Sequence, residues 1–215
     1  APPAVGGSGY HPRMEFVYVV KRHELYERRF PHGLELLPEE GIRALHERIA
    51  RHGFFVERRH AEQDATMKQL IPYCVVVRRG EVFLMRRLAS GGESRLHGKR
   101  SVGVGGHVNP VDGPAGGDVL AAALRREVEE ELCIGGPWDV RLVGVLNDDS
   151  TDVGAVHFGL VGVVTTDADV TVRETEVLTG AFTAPDHLRA LLAGERATFE
   201  TWSALVLDRL DDLLA

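Results

Sequence analysis

At 215 residues, with 44% hydrophobic and 27% charged residues, the chain has the make-up of a globular protein with one core plus an extension, or two small domains. No apolar run approaches the roughly 18 residues of a membrane span, and a formal net charge of −7 argues against salt-driven binding to duplex nucleic acid. Two cysteines, Cys74 and Cys133, make neither a disulfide framework nor a zinc site, and a cytoplasmic setting is expected.

Residues 1–13 are rich in Pro and Gly and lack the continuous apolar core of a secretory signal; they read as a leader, native or vector-derived, ahead of Met14. Glu15 to Val20 is rich in β-branched and aromatic residues and predicts a strand. Pro38 to Arg51 predicts a helix, with Ile42, Leu45 and Ile49 at helical spacing and Gly53 beyond its end. Phe54 to Glu57 predicts another strand. The polar run His60 to Met67 is the best boundary, dividing a strand-helix-strand extension, residues 1–67, from a denser region, residues 68–215. The extension is expected to be a cap or a dimer surface.

In the second region Leu70 to Val77 and Glu81 to Met85 flank Arg78-Arg79-Gly80, a hairpin signal. Val140 to Leu146 and Val156 to Val164 predict strands joined across the turn-forming run Asn147-Asp148-Asp149-Ser150. Val177 to Phe182 adds a short strand, and Pro185 to Leu192 a short helix with Pro in its first turn. From Trp202 to Leu214 one apolar helical stripe is interrupted only by Arg209. Strands interleaved with helices indicate a mixed sheet covered by helices.

The stretch from Ser101 to Ile134 organises the rest. Alternating Val and Gly lead into a Gly- and Pro-containing loop, then a helical pattern from Asp118 to Leu132. Four of the five residues from Glu127 to Glu131 are glutamates, and Glu127, Glu130 and Glu131 share one face at i, i+3 and i+4. Crowded acids at a helix C-terminus are electrostatically unfavourable, so the first candidate counter-charge is a hard divalent cation such as Mg²⁺, which prefers oxygen ligands. A bare run of glutamates is more often a solvated face. Three neighbours argue otherwise: Arg126 beside Glu127, the Gly105-Gly106 pair where backbone must approach something closely, and the loop His107 to Gly117 leading into the same helix.

Gly106, Asp118 and Arg126-Glu127-Val128-Glu129-Glu130-Glu131-Leu132-Cys133-Ile134 resemble the signature box of the Nudix (MutT-like) hydrolases, G-x5-E-x7-R-E-U-x-E-E-x-G-U with U aliphatic. In this alignment Asp118 replaces the usual Glu and Cys133 the usual Gly. The gap from Gly106 to Asp118 holds eleven residues instead of five. The run GGESRLHGKRSVGVGGHVNP and the later LNDDS are also similar to a branch of predicted Nudix phosphoesterases. The resemblance implies an α/β fold, an α/β/α sandwich with a mixed sheet, carrying the N-terminal α+β extension.

It also implies Mg²⁺- or Mn²⁺-dependent hydrolysis of a pyrophosphate bond in a small nucleoside diphosphate derivative, by in-line water attack. Glu127, Glu130 and Glu131 are then the candidate metal ligands, one of them also able to activate water, while Gly106, Asp118 and Arg126 are structural. A further glutamate, as base or ligand, is sought at Glu174 or Glu176, with Asp148 and Asp149 as competitors. Arg86, Arg87, Arg95, Lys99 and Arg100 reverse the local charge and suit phosphate binding, with His107 a weaker candidate. Homodimers are common in such a family. An isopentenyl diphosphate isomerase would need a cysteine where this chain has Gly105, and a non-catalytic nucleotide sensor typically has a degraded box; hydrolysis is the better reading.

Overall fold

The computed structural model describes residues 14–26, 30–88, 98–114 and 118–215. Its axis is β4 (Met67–Arg78), whose first ten residues are buried, as expected of a strand covered on both faces. Arg79 and Gly80, at φ 52° and 81°, make the tight turn into β5 (Glu81–Arg87). On its other side β4 pairs in parallel with β10 (His157–Thr166) from Gln69↔His157 to Val77↔Thr165, and β9 (Trp138–Asn147) lies antiparallel beyond β10. The order of the main sheet is completed by β12 (Leu178–Thr183) on β5 and β2 (Gly33–Leu36) on β9.

The edge of β4 facing β5 is shared along its length. β1 (Phe16–Lys21) pairs with its start, β7 (Gly103–Val104) with its middle and β5 with its end, while β6 (Arg100–Ser101) pairs with β5. β3 (Phe54–Glu57) pairs outside β1. A separate two-stranded sheet joins β8 (Leu132–Ile134) to β11 (Val170–Val172).

Alternation along β4 distributes its side chains between two layers. Leu70, Cys74 and Val76 meet α4 (Val119–Glu131), and the same layer takes Leu45 and Ile49 of α2 (Glu39–His52). Tyr73 and Val75 meet Leu188 of α6 (Pro185–Glu195), Val206 of α7 (Thr201–Leu207) and Leu210 of α8 (Leu210–Leu214). Short helices α1 (Arg22–Leu25), α3 (Arg58–Ala61) and α5 (Asp152–Val156) fill the connections. The result is the mixed sheet between helical layers that the strand pattern predicts.

The structure differs from the sequence expectation in several places, among them the unassigned pair β8 and β11. A four-residue strand, β2, lies in a segment with no strand assigned. β9 and β10 are joined through α5 as well as by the Asn147–Ser150 turn run. The C-terminal stripe is two helices, α7 and α8, because the chain breaks at Asp208-Arg209, where Arg209 turns to Asp212 at 2.6 Å. Residues of the N-terminal segment enter the main sheet directly, through Val19↔Gln69 and Leu34↔Leu146.

Candidate active site

Helix α4 begins where Asp118 accepts a hydrogen bond from the Ala121 amide at 3.4 Å, an N-cap. Val119, Leu120, Ala123, Leu124 and Val128 form its buried stripe. Gly162 of β10 lets it approach closely, since a Cβ there would lie 3.0 Å from Leu124 Cδ2 and 3.3 Å from Cys74 Sγ. Glu127 falls on the flank of that stripe and is only 6% exposed, whereas Glu130 is exposed and Glu131 half-buried.

The helix ends without a left-handed residue: Leu132 is extended and passes directly into β8, so Cys133 needs no glycine conformation. Arg173 closes that end, its backbone N–H donating to the Glu131 carbonyl at 2.9 Å and its Nε to the Glu129 carbonyl at 2.5 Å. A cation on the last turn offsets the helix dipole that the glutamates aggravate.

The segment before α4 fits the floor of the site tightly. At Gly105 a Cβ would overlap the Pro72 carbonyl oxygen, and at Gly106 it would sit 2.7 and 2.8 Å from the two Glu127 carboxylate oxygens. Arg126 ties the site together. Its Nε and Nη2 donate to the two Asp112 oxygens at 2.6 and 2.9 Å, and Nη2 also reaches the His107 carbonyl at 2.9 Å. Its Nη1 donates to Glu127 at 2.8 Å and Glu130 at 2.9 Å.

The Asp112 side chain is 1% exposed, and its other interaction is with the Asn109 amide, in a capping box on the 3-10 turn Pro110–Asp112. The residue that holds Arg126 is thus Asp112, while Asp118 serves the helix start. The signal was available: Asp112 follows Gly106 after five residues, the spacing of the box, so the additional residues lie between Asp112 and Arg126.

Burial raises the Glu127 carboxyl to about 7, Arg126 opposing and Glu130 and Glu131 reinforcing the shift. Burial also raises Glu131, with Glu174 adding to the effect and Arg87 opposing it. Asp112, ahead of the other acids, holds the Arg126 guanidinium firmly charged.

Beside Glu131 lies a small cavity of about 120 Å³, bordered also by Arg87, Lys99, Gly105 and Glu200. Arg87 donates from Nε to Glu200 at 3.0 Å, and Lys99 to the Ala197 carbonyl at 2.5 Å. Of the predicted basic residues these two are brought to the carboxylates. Arg86 is exposed, Arg100 is engaged with Glu195 at 2.8 Å and with Thr198, and Arg95 lies outside the described residues, as does His97.

Glu174 is exposed in the turn after β11, within the field of Glu131; Glu176 is two residues further on. Asp149 is fully occupied: Arg22 donates to its two oxygens at 3.1 and 2.6 Å and Lys68 at 2.6 Å, and these partners hold it well below the usual carboxylate range. Asp148 is buried and accepts from the Ser150 amide and hydroxyl. His107 meets His157 with Nε2 atoms 3.3 Å apart.

Comparison with known proteins bears on this arrangement. No protein-family model matches the chain. Protein YmaB of Bacillus subtilis (strain 168) is 37% identical over 209 residues, which cover 92% of this chain and 98% of that protein. Among solved structures, Tm1382, described as a Nudix hydrolase, is 28% identical and superposes with a TM-score of 0.77 over 93% of this chain and all of its own. DR0079 from Deinococcus radiodurans, 18% identical with a TM-score of 0.50 over 83% of this chain and 97% of its own, shares the fold. The chain belongs to the Nudix hydrolase family. It is accordingly an enzyme of the class that acts on phosphoric anhydrides.

Proposed function

We propose that the chain hydrolyses the pyrophosphate bond of a nucleoside diphosphate derivative with the help of Mg²⁺ or Mn²⁺, in the cytoplasm. The observation that carries this reading is the seating of Glu127 against Gly106, with Arg126 clamped by Asp112 and Glu131 opening onto a cavity that also holds Arg87 and Lys99. The donor set suits a hard cation, because every candidate ligand is a carboxylate oxygen. Among the described residues no three such groups already converge on one point, and Arg126 spans Glu127 and Glu130. Mg²⁺ needs only one or two protein carboxylates when water and phosphate oxygens complete its shell.

When bound, the ion neutralises negative charge developing on the phosphoryl oxygens. Glu127, Glu130 and Glu131 would hold it. Arg126 supports Glu127 and Glu130 from behind rather than touching substrate, and Gly106 keeps the floor clear of side chain. Arg87 and Lys99 would receive the non-attacked phosphate. Water attacks one phosphorus in line, the bridging P–O bond breaks, and the water proton passes to a carboxylate while the departing phosphate keeps the bridging oxygen. Glu174 is favoured over Glu176 as that proton acceptor, since Glu131 lies within its electrostatic reach.

The test is a hydrolysis screen with Mg²⁺ or Mn²⁺ across nucleotide sugars, dinucleoside polyphosphates, coenzymes and oxidised nucleotides. At least one is turned over, and Glu130→Gln and Glu131→Gln abolish the activity while Glu174→Gln lowers kcat by about 10²–10⁴-fold. No metal-dependent turnover of any compound would favour a nucleotide sensor. Undiminished activity in the Glu130 and Glu131 variants would refute the ligand assignment.

A further inference from the structure

One edge of the main sheet is only half covered. On its inner side β9 pairs with β10 from Leu146↔Gly159 to Trp138↔Thr166, but on its outer side it pairs with β2 alone, over residues 144–147. The Leu37 amide adds one last bond, to the Val143 carbonyl at 3.0 Å. Pro38 then has no N–H to offer, and the chain turns away into α2. Among the described residues no strand pairs with the outer edge of residues 138–142. The register shift opposite Val161 and Gly162 makes Val143 a bulge, which guards only the end of this run.

Arg141 and Leu142 on the open edge line a groove of about 460 Å³, with Leu37 and Ile42 from one helical layer and Leu213 and Ala215 from the other. An unpaired edge is a template for another strand, and folds commonly guard such edges with like charges, prolines or a covering element. This edge carries opposite charges instead. Trp138, Val140 and Leu142 turn toward the core cluster around α4. Asp139 and Arg141 point the other way and are exposed, and neither has an ion-pair partner among the described residues.

That pattern is self-complementary in one register. With two β9 strands antiparallel about a twofold axis at Val140, Asp139 of each copy lies opposite Arg141 of the other, and Trp138 opposite Leu142. The neighbouring registers, centred on Asp139 or on Arg141, set two like charges face to face, which is destabilising. We infer that the chain pairs with a second copy of itself along residues 138–142, β9 against β9, joining two sheets into one. The contact is isologous, so each charge pair is made twice. None of Asp139, Val140 and Arg141 borders the cavity beside Glu131, so this interface and the hydrolase reading stand or fall separately.

The experiment is sedimentation velocity of the 215-residue chain over a range of concentrations, with circular dichroism to check folding. The parent chain is expected to associate reversibly to a dimer. Arg141→Asp sets acid against acid at both pairs, and Asp139→Arg sets base against base. Both positions are exposed and have no intramolecular ion pair to lose, so each variant is expected to fold like the parent and to dimerise about tenfold more weakly, or worse. An equal mixture of the two variants is expected to form a heterodimer about as tight as the parent dimer, since one copy then presents two acids and the other two bases. The double exchange in one chain, Asp139→Arg with Arg141→Asp, is expected to dimerise like the parent.

A parent chain that stays monomeric at every concentration would overturn the interface. So would single variants that dimerise as tightly as the parent, which would place the dimer on another surface, or folded single variants whose mixture forms no heterodimer. Should one single variant lose its fold, the other single variant and the double exchange make the same comparison.

Discussion

Two aspartates six positions apart, Asp112 and Asp118, do different work and should fail differently. Asp112→Ala leaves the Arg126 guanidinium without its principal partner in a half-buried position, which costs about 3 kcal/mol of stability and releases the hold on Glu127 and Glu130. Asp118→Ala removes an exposed helix cap and costs about 1 kcal/mol with activity retained. Urea unfolding of the two variants, read beside their turnover, separates them. Equal losses would show that Asp112 is not the anchor.

His107 supplies a pH prediction. Burial holds its folded value at about 3, below the ordinary 6.5, so the unfolded chain binds the extra proton between those limits. The contribution is therefore complete above about pH 6.5 and drains away as pH falls toward 3, at up to about 1.4 kcal/mol per pH unit. Glu127, raised to about 7, pulls the opposite way over part of that window. The informative comparison is thus between variants: His107→Gln should show a smaller loss of stability from pH 7 to pH 5 than the parent chain, measured by denaturant unfolding.

At the scale of elements, helix α5 hangs on one buried cation. Lys68 is completely buried in β4, and its Nζ donates to Asp149 at 2.6 Å, the Gly154 carbonyl at 2.8 Å and the His157 carbonyl at 3.1 Å. Burial lowers its pKa, with Asp149 opposing. Three acceptors from the connection between β9 and β10 thereby converge on one amine, and Arg22 of α1 grips Asp149 from the other side. Replacing Lys68 with Met keeps the apolar stem and strands those acceptors. Because Asp149 reaches solvent, the expected loss is about 2–3 kcal/mol rather than the full cost of an orphaned buried charge. Amide hydrogen exchange should localise the loosening to residues 148–157, leaving α4 protected; uniform loss of protection would contradict it.

For the molecule as a whole, the first segment is woven into the sheet. β1 hydrogen-bonds to β4, β2 to β9, and Tyr18, Leu45 and Ile49 share a buried cluster with Val119 and Leu120 of α4. The Tyr18 amide also donates to the Val108 carbonyl, two residues past Gly106. A chain cut to residues 68–215 would expose that cluster and two strand edges, and we expect it to aggregate or lack cooperative unfolding and dispersed NMR signals. A stable, dispersed 68–215 fragment would show that the extension is a separable cap.

Local chemistry alone carried much of this into view. The spacing of Glu127, Glu130 and Glu131, the punctuation at Arg79-Gly80, and the near-continuous apolar runs in β4 and β10 act over a few residues, and such patterns are written directly in the chain. Strand β2 was not legible, because Gly-Leu-Glu-Leu is too short to show alternation and exists only through its pairing with distant β9. The partner of Arg126 was legible only in part: the five-residue gap from Gly106 singles out Asp112, but the contact itself depends on how the Pro110–Asp112 turn folds back over the helix. A cleft of about 530 Å³ beside the floor of the site is the fullest case: Gly106, Val153 and Trp202 face one space only because β10 runs parallel to β4 and brings α5 and α7 to the same end of the sheet. Long-range pairing made that decision, and no local preference encodes it.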